Sequence, residues 1–146
     1  MMTIAPLAEA DRMRWDRLAR GYKTFYQTVL SDAQYEATWQ RLLAGRDVFG
    51  LGAHLHGQLV GIAHYMFHTS AWSVEQCYLQ DLFVDEAVRG QGVARALIEA
   101  VAQAARERNA SRLYWLTHEQ NQTARTLYDK VAKYRGFIRY DYVLEE

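Results

Sequence analysis

The segment Arg89-Gly90-Gln91-Gly92-Val93-Ala94 follows a β-rich run, Tyr78-Leu79-Gln80-Asp81-Leu82-Phe83-Val84. It leads into an amphipathic stretch whose apolar stripe is Ala94, Leu97, Ile98, Val101 and Ala105. A strand, a glycine loop and a helix in that order suit an anion. Glycine lets the backbone come close to a ligand. The first turn of a helix has N–H groups without intrahelical partners, and the helix dipole adds partial positive charge. The Arg89 guanidinium can add a charge-assisted contact. The plain alternative is a glycine-rich turn that only starts a helix. Two other phosphate loops fit poorly. The dinucleotide fingerprint needs a small residue where Arg95 stands, and no Gly-Lys-Ser/Thr triplet occurs. Further along, Asn121, Ala124 and Tyr128 recur on one face of a predicted helix, with Asn121 at its N-cap.

Regular elements must position these residues. Residues 9–30 predict a helix through Met13, Leu18, Tyr22, Phe25, Tyr26 and Val29. Ser31 predicts the cap of a second helix carrying Tyr35, Trp39 and Leu42-Leu43, and Gly45 its stop. Val48 to Leu55 and Leu59 to Phe67 predict strands joined by the turn His56-Gly57-Gln58, with a third strand from Glu75 to Val84. A helix over Gly92 to Arg108, closed at Asn109, then precedes a strand at Ser111 to Thr117. After Asn121 comes the last helix, which Gly136 breaks, and Phe137 to Leu144 predicts one or two final strands. The order predicts a mixed α/β sheet with helices packed against it.

The 146 residues predict one domain, 1–146, with no linker, repeat or low-complexity tract. Half are hydrophobic, with ten tyrosines and four tryptophans, enough to bury a core. Lys+Arg and Asp+Glu both number 17, which gives no electrostatic footprint for nucleic acid or an anionic membrane. One cysteine, Cys77, rules out an intrachain disulfide and suits a reducing compartment. The start lacks a signal-peptide pattern, and no stretch approaches the roughly 18 apolar residues of a membrane span. The expectation is a cytoplasmic protein.

Arg89-Gly90-Gln91-Gly92-Val93-Ala94 resembles the acetyl-CoA loop of the GNAT N-acetyltransferase superfamily, and Tyr78 to Val84 resembles its fourth strand. Asn121-x-x-Ala124-x-x-x-Tyr128 resembles its second motif. With the element order, the resemblance covers essentially the whole chain. It implies the GNAT fold, a mixed sheet of six to seven strands with about four helices. Gln80 to Val84, Arg89 to Ala94 and Tyr114-Trp115 are particularly similar to a fungal subgroup acting on histones, polyamines or D-amino acids, and to its bacterial homologues.

The resemblance implies acetyl transfer from acetyl-CoA to a primary amine of a small molecule by direct attack, with no metal. The loop amides of Arg89, Gly90, Gln91, Gly92, Val93 and Ala94 would bind pyrophosphate. Backbone groups of Leu82, Phe83 and Val84 would pair with the pantetheine arm, and Leu82 N–H would face the oxyanion. Asn121 and Ala124 would meet the cofactor arm, with the Tyr128 hydroxyl near the sulfur. Coenzyme A's thiol should titrate near cysteine's roughly 8.5 and tyrosine near roughly 10, so a positioned phenol can donate to the departing thiolate. A core tyrosine is the alternative.

The proton acceptor is open. Gln80 stands where polyamine acetyltransferases of the superfamily often carry glutamate, and Gln80 cannot be a base. Asp81, Glu119 and a water chain remain. The resemblance implies an acceptor site lined by the first two helices and the strand junction, which makes Tyr22, Phe25, Tyr26 and Trp39, with Gln80, candidate acceptor-binding residues; aromatic faces can hold an ammonium, and a plain aromatic core is the alternative. The pairs His54/His56 and His64/His68 share strand faces but have no third ligand nearby, so they read as ordinary strand histidines. His118 keeps a proton-relay reading, and Cys77 reads as packing. The competing functions are a protein lysine or N-terminal acetyltransferase and a non-catalytic acyl-CoA-binding module. A homodimer is expected, because relatives commonly pair through C-terminal strands and Phe137 to Leu144 alternates.

Overall fold

The computed structural model describes residues 1–145. They form two compact units, Met1–Leu116 and the described residues from Thr117 onward. In the first, β1 (Met2–Pro6), β2 (Val48–Leu55), β3 (Gln58–His68), β4 (Gln76–Val84) and β5 (Leu113–Tyr114) make one sheet in that order. The first four strands are antiparallel and β5 runs parallel to β4.

Helix α1 (Arg12–Phe25) follows a short 3-10 turn and buries Trp15, Leu18 and Ala19. It stops five residues short of the predicted end. Gln27 adopts a positive φ of 57°, and Val29 lies exposed with no core to reward a further turn. Helix α2 (Asp32–Ala44) starts on a capping box: Ser31 Oγ accepts from Gln34 N–H, and Gln34 Oε1 accepts from Ser31 N–H. It ends at Gly45 with φ 58°. The β2–β3 hairpin turns on His56 and Gly57, both at positive φ, as a two-residue turn demands.

Neighbouring strand residues point to opposite faces, and β3 uses both. Ile62 joins the cluster of Leu7, Trp15, Leu18, Tyr35, Trp39 and Leu42 supplied largely by α1 and α2. A Cβ on Gly61 would meet Val93 and Leu97 of helix α3 (Val93–Glu107), so α3 covers the other face. Its buried stripe is Val93, Leu97, Ile98, Val101 and Ala105.

Strand β4 changes sides part-way. Leu79 is opposite Tyr65 and Asp81 is opposite His64, with Gln80 extra between them. This is a β-bulge. In an unbroken strand Cys77, Leu79, Asp81 and Phe83 would share one face. The bulge puts Asp81 and Phe83 opposite His64 and Ile62, on the face of α1.

In the second unit, helix α4 (Gln122–Val131) is capped by Asn121, whose side chain accepts from Ala124 N–H. It ends at extended Ala132, ahead of Gly136. Three strand expectations are corrected. Among the described residues the sheet has five strands rather than six to seven, and β5 spans only Leu113–Tyr114 of the predicted Ser111–Thr117. Among the described residues, Phe137 to Leu144 form no strand. Phe137, Tyr140, Tyr142 and Leu144 are exposed. Alternation marks which face would be buried, but a strand also needs an edge to hydrogen-bond.

Candidate active site

The end of β4 is pinned before the glycine loop begins. Two guanidinium N–H groups of Arg14 donate to the Leu59 carbonyl at 3.1 and 2.9 Å, and Nη2 also reaches Asp85 at 3.3 Å. Asp85 N–H donates to Val60 O, and its other carboxylate oxygen accepts from Ala87 N–H at 3.0 Å. The chain then makes a 3-10 turn over Glu86–Val88 and enters the loop.

Gly90 and Gly92 sit at φ 84° and 80°, where side chains are strained. A Cβ on either would meet nothing within 4 Å, so the backbone faces open space. Gly92 is the N-cap of α3 and offers no side chain to its first turn. The N–H groups of Val93, Ala94 and Arg95 therefore precede the first intrahelical bond, which runs from Ala96 N–H to Gly92 O. Arg89 is exposed, 3.7 Å from Glu86 and 5.9 Å from the Phe83 ring.

The outer edge of β4 is open beside this loop. Strand β5 pairs with it only at Cys77 and Tyr78. No described strand pairs with Leu79 to Val84 on that side. Leu82, Phe83 and Val84 bond inward to β3 and leave their other edge available to an extended ligand.

On the α1 face, Asp81 lies against His64, whose Nδ1 is 2.9 Å from its Oδ2. The Tyr22 hydroxyl also donates to this carboxyl. Burial alone would raise Asp81, but the His64 and Tyr22 hydrogen bonds and nearby Lys23 hold it below the usual carboxylate range. The Tyr22 ring meets Tyr26 at 4.9 Å and Phe83 at 5.9 Å, and Phe25 meets Tyr26 at 5.1 Å. Tyr22, Phe25 and Tyr26 thus form one aromatic group near Asp81. Trp39 does not join it. That residue is 3 % exposed and packs 5.0 Å from Trp15, so its ring belongs to the core and is corrected as an acceptor contact. Gln80 is exposed as the extra residue of the bulge.

The remaining candidates have their own partners. His54 bonds Asp11 at 2.8 Å and His68 bonds Tyr114 at 2.8 Å. Among the described residues no three His, Cys, Asp or Glu side chains gather around a common point. Cys77 is buried, and burial pushes its thiol up to about 11. In the second unit, Asn121 donates to Thr117 Oγ1 at 3.3 Å, Glu119 O accepts from Arg125, His118 O accepts from Asn121 N–H, and Tyr128 is half-buried on α4. Sequence reasoning missed the chain from Trp15 through His64 to Asp81. The residues were visible, but the bulge that joins them was not.

The profile of the Acetyltransferase (GNAT) family matches residues 15–134. The chain belongs to the GNAT acetyltransferase family. It is an acetyl-CoA-dependent N-acetyltransferase. The chain is 33 % identical over 138 residues to a D-amino-acid N-acetyltransferase of Saccharomyces cerevisiae, covering 90 % of this chain and 84 % of the relative. It is 26 % identical to a thialysine N-epsilon-acetyltransferase of Bos taurus, covering 78 % and 67 %. A solved aminoglycoside N-acetyltransferase in complex with CoA superposes with a TM-score of 0.80 at 19 % identity, covering 100 % of this chain and 93 % of that one, and so shares the fold. For a GNAT enzyme, the open glycine cradle and the free edge of β4 fit the diphosphate and amide-bearing arm of coenzyme A. No described helix is long and apolar enough to cross a membrane.

Proposed function

We propose that this GNAT enzyme acetylates the primary amine of a small molecule, held by its ammonium at the Asp81 carboxylate. The observation that carries this reading is the carboxylate itself. It is partly exposed, held ionised beside the Tyr22, Phe25 and Tyr26 rings, and one residue from Leu82. Amine substrates arrive largely as ammonium, which a fixed anion and aromatic faces both attract. The relatives named for D-amino acids and thialysine support an acceptor of amino-acid size.

Acetyl-CoA supplies an acetyl thioester. The amides of Arg89, Gly90, Gln91, Gly92, Val93 and Ala94 hold its diphosphate, while Leu82, Phe83 and Val84 bind its arm as an added strand would. Leu82 N–H donates to the carbonyl oxygen as charge develops there. Asp81 takes the proton of the attacking amine. A carboxyl held below its usual range does not keep a proton near neutral pH, so it passes this one to solvent. By the motif it shares with Asn121 and Ala124, Tyr128 donates to the departing sulfur. Residues 1–146 act as one acetyltransferase domain, a reading supported by a family match that runs from 15 to 134. A single buried cysteine supports a cytoplasmic location, and the exposed alternating residues 137–144 support a homodimer.

The test is thiol release from acetyl-CoA with D- and L-amino acids, thialysine, polyamines, aminoglycosides and a histone-tail peptide. Turnover on a small amine, lost in Asp81→Asn, is the expected result. Turnover on the peptide alone moves the assignment to protein acetylation, and cofactor binding without turnover moves it to a binding module.

A further inference from the structure

Trp15 is fully buried, and its indole N–H points at Nε2 of His64, 3.0 Å away. An indole nitrogen only donates. His64 Nε2 must therefore accept, and carries no proton of its own. The ring's proton is then on Nδ1, where it donates to Asp81 Oδ2 at 2.9 Å. The direction of both bonds is fixed by one donor-only group at one end and a carboxylate at the other. A second proton on the ring would bring N–H against N–H at Trp15.

The three residues come from separate elements, α1, β3 and β4, and meet because of the bulge at Gln80. The arrangement replaces apolar contacts with buried polar ones, which cost stability unless every group is paired. Here every buried group is paired, and the series runs from the core to a carboxylate that is 18 % exposed. A core that needed only filling would not require a donor aimed at that carboxylate.

We infer that His64, held in its Nδ1–H form by Trp15, is a positioning residue that orients the Asp81 carboxylate toward the ammonium of the acceptor. Trp15 acts through His64, and neither touches substrate. The inference rests on the proposed role of Asp81. Tyr22 and Lys23 of α1 and His64 of β3 are the titratable groups that face the carboxylate. Removal of the His64 donor leaves Asp81 less stabilised as an anion, so the acid limb of acceptor kcat/KM moves to higher pH.

Steady-state kinetics across pH on the acceptor found active, with His64→Leu, His64→Asn, Trp15→Phe and Asp81→Asn, tests this. His64→Leu should lower acceptor kcat/KM by roughly tenfold and shift the acid limb upward, with the KM for acetyl-CoA unchanged. His64→Asn keeps an N–H near the Nδ1 position and should recover most of that loss. Thermal unfolding and acetyl-CoA binding report whether each variant is folded. Independently of activity, the ¹⁵N ring shifts of neutral His64 should show the Nδ1–H tautomer in the wild type, and a mixture of tautomers in Trp15→Phe. A His64 ring with its proton on Nε2, or His64→Leu kinetics equal to wild type while Asp81→Asn is inactive, overturns the inference and leaves the acceptor reading standing. Asp81→Asn kinetics equal to wild type overturn both.

Discussion

The roles proposed for Tyr128 and Asp81 make opposite demands, one giving a proton and the other taking one. Tyr128→Phe removes a hydroxyl without changing shape. Thiol release should fall at least about tenfold, with acetyl-CoA binding by calorimetry unchanged, if the phenol serves the leaving group. Asp81 has a measurable signature in stability as well. Its folded-state pKa lies below the unfolded value near roughly 3.9, so its contribution is present above that value and is lost as pH falls through the folded one. Acid titration of the melting temperature should show a decline below about pH 4 in the wild type that is smaller in Asp81→Asn. Cys77 offers a negative control. A buried thiol raised to about 11 should not react with a disulfide reagent in the native protein at neutral pH, and should react once denatured.

At the scale of the element, the two helix starts are built for different purposes, and substitution separates them. Ser31 closes a reciprocal box with Gln34, so its only task is to satisfy backbone donors. Ser31→Ala should cost about 1 kcal/mol in denaturant unfolding and leave kcat unchanged. Gly92 leaves the donors of its helix without a side-chain cap and sits at φ 80°. Gly92→Ala should cost a similar amount, about 1–2 kcal/mol, from left-handed strain. It should also weaken acetyl-CoA binding, because the added methyl stands in space that is otherwise open. A Gly92→Ala variant with full affinity would count against the loop as the diphosphate site.

For the whole molecule, the exposed run from Phe137 to Leu144 is the open question that light scattering answers. A dimer at micromolar concentration supports pairing of these segments, and a monomer removes it. The elements themselves were largely legible from the sequence. Periodicity set Leu97, Ile98, Val101 and Ala105 of the buried stripe of α3, with Val93 rather than Ala94 buried at its start; Ser31 and Gly45 bounded α2, and Val48 to Leu55 appeared as a strand with its observed ends. These features depend on neighbours a few residues away, so a linear reading contains them. The glycine loop and the Asn121 cap were legible for the same reason.

Tertiary structure decided what depends on partners far along the chain. The extra residue at Gln80 puts Asp81 on the face of α1, where period two in the sequence would have kept it with Leu79. Trp39 went to the core rather than to an acceptor site because Trp15 was there to receive it. His64 looked like an ordinary strand histidine until Trp15, 49 residues away, fixed its proton. Spacing specifies which way a side chain faces only while the strand stays regular. Register, and with it the direction of each hydrogen bond at Asp81, is set by how the strands and α1 pack together.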